Sequence, residues 1–554
     1  MKNFKKALAL LLAGSTALSI TACDQSGSGT GDNTNGSGDA TNAPMQSFEE
    51  QTLAPIDTEA PTGKLVYLTY ENNWESSNEE KLTKFEAQYG GTFELITCGS
   101  GSEYFQKLGT YISAGDSPDL VRYEWMSFPH AMSYNVYTPL DTYIDINSDL
   151  WKDMKPVADQ FMYNGKHYYY PNVLKTNFAL NYNNRILEEN GMTDPMTYLE
   201  KNEWTWTKFK EMLKEWCNKD PNHIGYNGVG GMSFILTTGK KVIDVQGSEI
   251  INNLKDPDVT RCMTWLGDMH KDGLLGANAE QQTNTGHANG YEDPGVAFVD
   301  GNLLFLGMDP SWAYGAAKEK FYNNGQEEDI KFVPFPRDDN SDTYYHGIDT
   351  LGYLVPAGAK NLKGAIDWIN FSHAEEIDPE NLAKAKADAI ADVPAYKTKC
   401  GNKDCGDTSE NADKSGRHIF TAEENEQGVT TCPVCGTERE TKYKLIWDEK
   451  VYDLWTELHS TDGRFTMLFD HCYGFNDDVS KLFQTGDQPL LDGPVFGDFT
   501  YTTLVETQYS VVEGYLAEYR EIMKKNASGE EVTKDWAATN APAASTPSAE
   551  STTA

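Results

Sequence analysis

Lys64-Leu-Val-Tyr-Leu-Thr-Tyr70 reads as a buried strand, and the residues after it decide the fold. Ser77-Asn-Glu-Glu80 has the form of a capping box, in which a side chain satisfies a free N–H group at a helix start. Leu82, Phe85 and Tyr89 then recur at helical spacing. Thr92-Phe-Glu-Leu-Ile-Thr97 is the next strand, a helix is expected over 102–114, and Pro118-Asp-Leu-Val-Arg122 is a third strand. Strands alternating with short helices predict an α/β fold around a mostly parallel sheet. In such sheets ligands bind beyond the carboxyl ends of the strands. Those ends carry Tyr70-Glu-Asn-Asn-Trp74 and Tyr123-Glu-Trp125, both aromatic and polar.

A second α/β block runs from about 178 to 340. Trp206, Phe209, Leu213 and Trp216 form one apolar helix face, and Pro257 to Gly273 is a second helix. Asn302-Leu-Leu-Phe-Leu-Gly307 is a buried strand that runs into Met308-Asp-Pro-Ser-Trp312, the expected start of another helix. Ile330-Lys-Phe-Val-Pro-Phe335 is a strand leading back towards the first block. After Gly352-Tyr-Leu-Val-Pro356 the chain reads as mainly helical, apart from one insertion.

The flanks differ in kind. Met1 to Cys23 has a basic start at Lys2, Lys5 and Lys6, then an apolar run too short to span a bilayer as a stable helix. It ends in Ile20-Thr21-Ala22-Cys23, which resembles a bacterial lipobox. The resemblance implies a signal peptide over 1–22, lipidation of Cys23 (palmitate among the acyl chains), and a chain anchored at the cell membrane facing the extracellular side or periplasm. Residues 23–62 are the lipidated Cys and a Gly/Ser/Thr/Asn/Asp-rich stretch that cannot bury a core and is expected to be a disordered tether. The Ala/Ser/Thr/Pro-rich 537–554 is expected to be a disordered tail. Lys and Arg number 46 against 84 Asp and Glu, a net charge of −38, and cleavage of the signal removes three lysines and no acid. That balance argues against nucleic acid and against an anionic bilayer surface as partners.

Four stretches taken in order resemble the extracellular solute-binding lipoproteins of bacterial ABC importers, of the sugar- and maltose-binding type. They are Asp119-Leu-Val with Tyr137-Thr-Pro-Leu-Asp-Thr-Tyr143; Asn164-Gly-Lys-His-Tyr-Tyr-Tyr-Pro171 with Ala179 to Gly191; Gly301 to Gly307 with Trp312; and Gly347 to Pro356 with Lys363-Gly-Ala-Ile-Asp-Trp-Ile-Asn-Phe371. The resemblance implies a two-lobe periplasmic-binding-protein-like fold of type II, with a hinge and a ligand cleft that closes on its solute. The expected organisation is an N-terminal lobe over 63–177 and 341–375, and a second lobe over 178–340. A C-terminal helical region over 376–397 and 441–536 packs on both. The implied partners are a small polar solute, a sugar or oligosaccharide first, and an ABC permease. Tyr70, Trp74, Tyr123, Trp125, Asp309, Trp312 and Asp349 are the expected cleft residues: aromatic faces suit sugar C–H faces, and carboxylates suit hydroxyls. No His-Glu-x-x-His, Gly-x-Ser-x-Gly, Walker A or Gly-x-Gly-x-x-Gly motif occurs, so a binding protein is expected, not an enzyme. Two alternatives stay open at this point: a glycoside-acting enzyme with paired carboxylates, and a surface adhesin.

The insertion over 398–440 contains Cys400-Gly-Asn-Lys-Asp-Cys405-Gly and Cys432-Pro-Val-Cys435-Gly, two pairs that resemble zinc knuckles. Four thiolates close a tetrahedral structural zinc site and leave no position for catalysis. Iron and two disulfides are the alternatives. Cys98, Cys217, Cys262 and Cys472 are expected to be buried small hydrophobes. Asp145-Ile-Asn147-Ser-Asp149 starts like a calcium loop but has Leu150 where that loop needs Gly, so a turn is expected.

Overall fold

The computed structural model describes Phe48 and residues 60–176, 179–276, 294–310, 330–390, 396–442 and 448–529, except 403, 410, 413–415, 422, 425–426, 486–487 and 498. The signal segment, Cys23, Trp312 and 537–554 lie outside the described residues.

The first sheet has the strand order Thr92–Thr97, Lys64–Thr69, Leu120–Arg122, Asp349–Leu354, Tyr170–Lys175. Lys64–Thr69 pairs in parallel with both neighbours, and Asp349–Leu354 runs antiparallel to both of its own. Helices Glu79–Tyr89 and Leu362–Ile377 share an aromatic core, with Phe85 5.0 Å from Trp368 and 5.2 Å from Phe371, all buried. The first of these helices ends at Gly90, whose φ of 68° is left-handed and suits a residue with no Cβ. The expected capping box does not form. Ser77 closes the short helix Trp74–Ser77, and Asn78 begins the next without a side-chain cap.

The second sheet has the order Ile330–Pro334, Ala179–Asn183, Leu303–Met308, Ile224–Gly228, with one parallel pairing. Helix Trp206–Cys217 presents buried Trp206, Phe209, Leu213 and Trp216. Helix Pro257–Lys271 starts where the Asp256 carboxylate accepts the Asp258 N–H at 2.8 Å. Both sheets are therefore mixed, which corrects the expectation of a mostly parallel sheet. The chain passes between the sheets after Lys175 and after Pro334, and the strands Ala179–Asn183 and Asp349–Leu354 that follow run against their neighbours in the two sheets.

The C-terminal region ties the lobes together. Phe465–Leu468 pairs in parallel with Tyr344–Gly347. The next turn is stitched to both sides: Gln160 accepts the Phe469 N–H at 3.0 Å, and the buried Asp470 carboxylate accepts the N–H groups of Val242 and Ile243. Burial pushes the Asp470 carboxyl up to about 6. His471 is structural, with Nε2 2.8 Å from the Gln160 carbonyl. The long helix Tyr501–Ser528 reaches lobe two through Tyr501 Oη to the Leu254 carbonyl, 2.9 Å, and lobe one through Asn526 Nδ2 to the Ser133 carbonyl, 2.7 Å.

Two further expectations shift. Within the stretch read as a tether, Phe48 packs on the core and donates its N–H to the Tyr134 carbonyl at 3.0 Å, and Thr62 is buried. Cys262 and Cys472 are buried as expected, but Cys98 and Cys217 are only half-buried, and all four are free thiols. Asp145 accepts the Asn147 N–H at 2.9 Å, the expected turn.

His167 locks the segment between the strands Leu120–Arg122 and Tyr170–Lys175. Its Nδ1 lies 2.7 Å from Asp141 and its Nε2 3.0 Å from Asp159. Burial alone would lower its pKa; the two carboxylates outweigh burial and hold it above the ordinary histidine value. A raised folded pKa gives stability that is fully present below the unfolded value, about 6.5, and is lost as pH rises through the folded value. His167→Gln is therefore expected to lower the urea midpoint more at pH 5.5 than at pH 8.5. Equal losses at the two pH values would show that the imidazolium charge contributes nothing.

Candidate functional site

The carboxyl ends of the lobe-one strands gather a charged and aromatic group. Lys64–Thr69 delivers Tyr70 and Glu71, Leu120–Arg122 delivers Arg122 to Trp125, and Tyr170–Lys175 ends on Lys175. Asp349 opens its strand directly opposite Lys175 in the ladder. From lobe two, Met308 pairs with Ala179 at the crossover, and Asp309 follows it. Ala179 is only four residues beyond Lys175 in the chain, so both lobes present side chains at the crossover.

The contacts within this group are specific. The Arg122 guanidinium lies over the Tyr70 ring, 4.6 Å from its centroid, and Nη1 donates to Glu71. Tyr70 donates its hydroxyl to Glu124, and burial pushes its pKa up. The Glu124 carboxylate accepts the Trp125 N–H at 3.3 Å, and burial raises its pKa despite Tyr70 and Arg122. Lys175 is held below the ordinary lysine value by burial, then by Arg122; Asp349, Asp309 and Glu71 pull the other way. The charges of Asp349, Asp309 and Glu71 are thus near enough to act on Lys175 across the crossover.

Of the expected residues, Tyr70 and Tyr123 directly follow their strands, Asp349 opens its own, and Asp309 follows Met308. Tyr123 stacks on Tyr169 at 4.3 Å, and its buried hydroxyl has no partner among the described residues. Trp125 is half-buried beside Phe469, 5.2 Å, and Tyr473, 5.5 Å, at the turn that joins the lobes. Trp74 departs from expectation. It is 4% exposed and packs against Tyr67 at 4.8 Å, Phe93 at 5.0 Å and Trp368 at 5.6 Å, so its ring belongs to the core. Glu71, Arg122, Glu124 and Lys175 were not expected. Glu71 and Glu124 sit inside the two strand-end segments singled out from sequence, and Arg122 ends a buried strand with a charge. Lys175 carries no local signal.

The insertion brings its four cysteines together. Tyr396–Cys400 pairs antiparallel with Arg439–Lys442. The four Sγ atoms lie within 4.8 Å of one another, Cys400 to Cys435 at 3.3 Å and Cys405 to Cys432 at 3.5 Å. Four Zn–S bonds of about 2.3 Å in a tetrahedron place sulfurs roughly 3.8 Å apart, whereas a disulfide needs about 2.05 Å. The donor set therefore fits a metal. Gly406 and Gly436, each next after a cysteine, have φ of 72°, and the Asn402 N–H points at Cys400 Sγ at 3.3 Å. Hydrogen bonds from Thr437 bring the Cys435 thiol down to about 6, which favours the ligating thiolate. The segment between the knuckles holds more than its composition promised. Phe420 is buried against Cys400, Cys405 and Cys432. His418 lies between Asp407 at 2.7 Å and Glu424 at 3.2 Å.

Among the described residues no helix is long and apolar enough to cross a membrane. The profile of the bacterial extracellular solute-binding proteins matches residues 81–397. No curated protein matches the chain significantly. Among solved structures, the sugar-binding protein MalE of Xanthomonas citri is 13% identical and superimposes with a TM-score of 0.56, over 83% of this chain and 99% of that one. An uncharacterized protein of Listeria monocytogenes EGD-e is 14% identical with a TM-score of 0.52, over 82% and 99%. At such identities the likeness concerns the fold.

Proposed function

The chain belongs to the bacterial extracellular solute-binding proteins, and from that premise we propose that it captures a sugar or oligosaccharide by closure of its two lobes and delivers it to an ABC permease. The observation that supports this reading is the set of residues at the strand ends beside the crossover: Tyr70, Arg122, Tyr123, Lys175 and Asp349 on lobe one, with Asp309 after the lobe-two strand. Such a mixture of aromatic surface and a few placed polar groups suits a polyhydroxylated solute. The sugar-binding function of the Xanthomonas citri structure supports it further. Trp312, just beyond Asp309, is proposed as the lobe-two stacking ring, and Trp125 as its lobe-one counterpart.

The protein is proposed to bind without catalysis. Cys23 is proposed as the lipidated anchor on the outer side of the cell membrane. Zinc is the proposed ion of Cys400, Cys405, Cys432 and Cys435.

A thermal-shift screen of residues 24–554 against sugars, peptides and amino acids tests the reading. A ligand at a hundredfold excess over its Kd stabilises the folded state by about 2.7 kcal/mol. A sugar hit recovered chemically unchanged supports it; a hit only with peptides, or hydrolysis of the sugar, overturns it. Trp125→Ala is expected to weaken sugar binding roughly fivefold, from loss of about 1 kcal/mol of aromatic contact, with the melting temperature of the free protein little changed. An unaltered Kd in calorimetry would remove Trp125 from the site.

A further inference from the structure

The four sulfurs of the insertion are placed for more than one kind of link. The two knuckles face each other across a backbone frame. Tyr396–Cys400 pairs with Arg439–Lys442, and the Gly401 N–H donates to the Glu438 carbonyl at 3.0 Å. The Cys432 N–H donates to the Thr437 carbonyl at 2.8 Å, and the Cys400 N–H to the His418 carbonyl at 2.8 Å. The short sulfur contacts cross between the knuckles, Cys400 to Cys435 at 3.3 Å and Cys405 to Cys432 at 3.5 Å. The two pairs are nested in the chain, the first outside the second, like rungs of one ladder. A disulfide needs about 2.05 Å, so each pair has to close by only about 1.3–1.5 Å.

Access to the sulfurs is unequal. Cys400, Cys405 and Cys432 are buried around Phe420, whereas Cys435 is exposed. Val434 beside it is 49% exposed, so the turn that carries Cys435 faces solvent. An oxidant arriving from solvent therefore meets Cys435 first, with Cys400 next to it. The thiols outside the insertion compete poorly. Cys262 and Cys472 are buried, and burial pushes the half-buried Cys98 and Cys217 up to about 11, which leaves little reactive thiolate near neutral pH.

We infer that the four-cysteine site is a peroxide-sensitive switch, in which Cys435 is the thiol first oxidised and two cross-knuckle disulfides, Cys400–Cys435 and Cys405–Cys432, take the place of the ion. The inference rests on the zinc reading above and adds which sulfur reacts and what replaces the metal. The oxidant is hydrogen peroxide. The Cys435 thiolate attacks one peroxide oxygen, the O–O bond breaks, and the leaving hydroxide takes a proton from solvent, so Cys435 becomes a sulfenic acid. The Cys400 thiolate then attacks the Cys435 sulfur. The S–S bond forms, the S–O bond breaks, and a second hydroxide leaves and is protonated. One peroxide is thus reduced to two waters as two thiolates are oxidised to a disulfide. A second peroxide links Cys405 and Cys432 by the same steps. Metal needs deprotonated thiols as ligands, and a disulfide offers none, so the ion is released. The disulfides join the same two knuckles, so the insertion keeps its fold without the metal.

The experiment treats the full chain, reduced and loaded with zinc, with hydrogen peroxide after the reductant is removed. Released zinc is read with a chromogenic chelator, sulfenic acid by dimedone trapping, and disulfides by peptide mapping. A Cys98→Ser/Cys217→Ser variant, which lacks the two half-buried thiols, is treated alongside. Both proteins are expected to lose about one equivalent of zinc, to trap dimedone first at Cys435, and to end with Cys400–Cys435 and Cys405–Cys432 linked. Hydrogen exchange over 396–442 is expected to stay close to that of the zinc-loaded form, and dithiothreitol with zinc to restore the starting state. Disulfides within each knuckle, dimedone first at another of the four sulfurs, exchange over 396–442 rising to the unfolded rate, or zinc retained after peroxide overturns the switch and leaves the zinc site standing. A reduced protein that binds no zinc overturns the switch and the zinc reading together.

Discussion

Cys432→Ser/Cys435→Ser is expected to release one equivalent of zinc and to unfold residues 396–442 locally, while sugar binding between the lobes persists. The insertion has little else to order it. Its described buried apolar groups are Phe420 and three of the cysteines, Cys400, Cys405 and Cys432, with Val429 packed against them. Ordering each residue costs about 1–2 kcal/mol of backbone entropy, and one phenylalanine contributes at most about 3 kcal/mol of burial. Zinc binding in finger peptides contributes about 10–16 kcal/mol near neutral pH, the scale required. The His418 contacts with Asp407 and Glu424 fix geometry within the fold and do not offset that entropy.

The separation of effects follows from the base of the insertion. Lys386, on the helix before it, reaches Asp453 at 2.8 Å and Glu449 at 2.9 Å on the helix after it. Trp455 on the second helix packs 6.0 Å from Phe332 of the second sheet. The two helices thus meet below the knuckles, so loss of the metal should stop there. Because the ligands are thiolates, acidification should release the ion. Elemental analysis under reducing conditions, with hydrogen exchange over 396–442, checks both points. Absence of metal with all four thiols paired as disulfides would replace the reading with a cross-linked one.

What the sequence could say depended on how local the cause was. The strands Lys64–Thr69 and Thr92–Thr97 and the helix Trp206–Cys217 follow from residue pattern alone, and they formed where expected. Strand direction did not follow, because it is set by where the chain crosses between lobes, and that is a property of the whole path. The cysteine cluster was legible because each pair closes a turn within a few residues and few chemistries use that spacing. The places of Tyr70, Tyr123, Asp309 and Asp349 at strand ends were legible because those strands are short buried runs with clear ends. Trp74 was misassigned by the same rule. The short helix Trp74–Ser77 turns the ring back beneath the sheet, onto Trp368, a residue almost 300 positions later. Arg122 and Lys175 were missed because their roles come from partners brought by other strands, and no local pattern marks them.

Arg122→Met is expected to destabilise lobe one by about 3–5 kcal/mol, the usual cost of removing one partner of a buried ion pair. Arg122 is 9% exposed and Glu71 18%, so neither charge can be taken up freely by water. Methionine keeps much of the volume, so the loss reports the uncompensated Glu71 carboxylate and the cation–π contact with Tyr70 rather than a cavity. The double variant Arg122→Met/Glu71→Gln should regain most of the loss. Replacing both charges removes the desolvation penalty along with the attraction, and the net worth of a buried pair is small. Urea titration followed by tryptophan fluorescence gives all the corners of the cycle; the double variant should lie above Arg122→Met, and the coupling, the double loss minus the sum of the two single losses, should have a magnitude of about 0.5–3 kcal/mol, as for contacting residues. A single variant within about 1 kcal/mol of the wild type would place the pair among surface ion pairs.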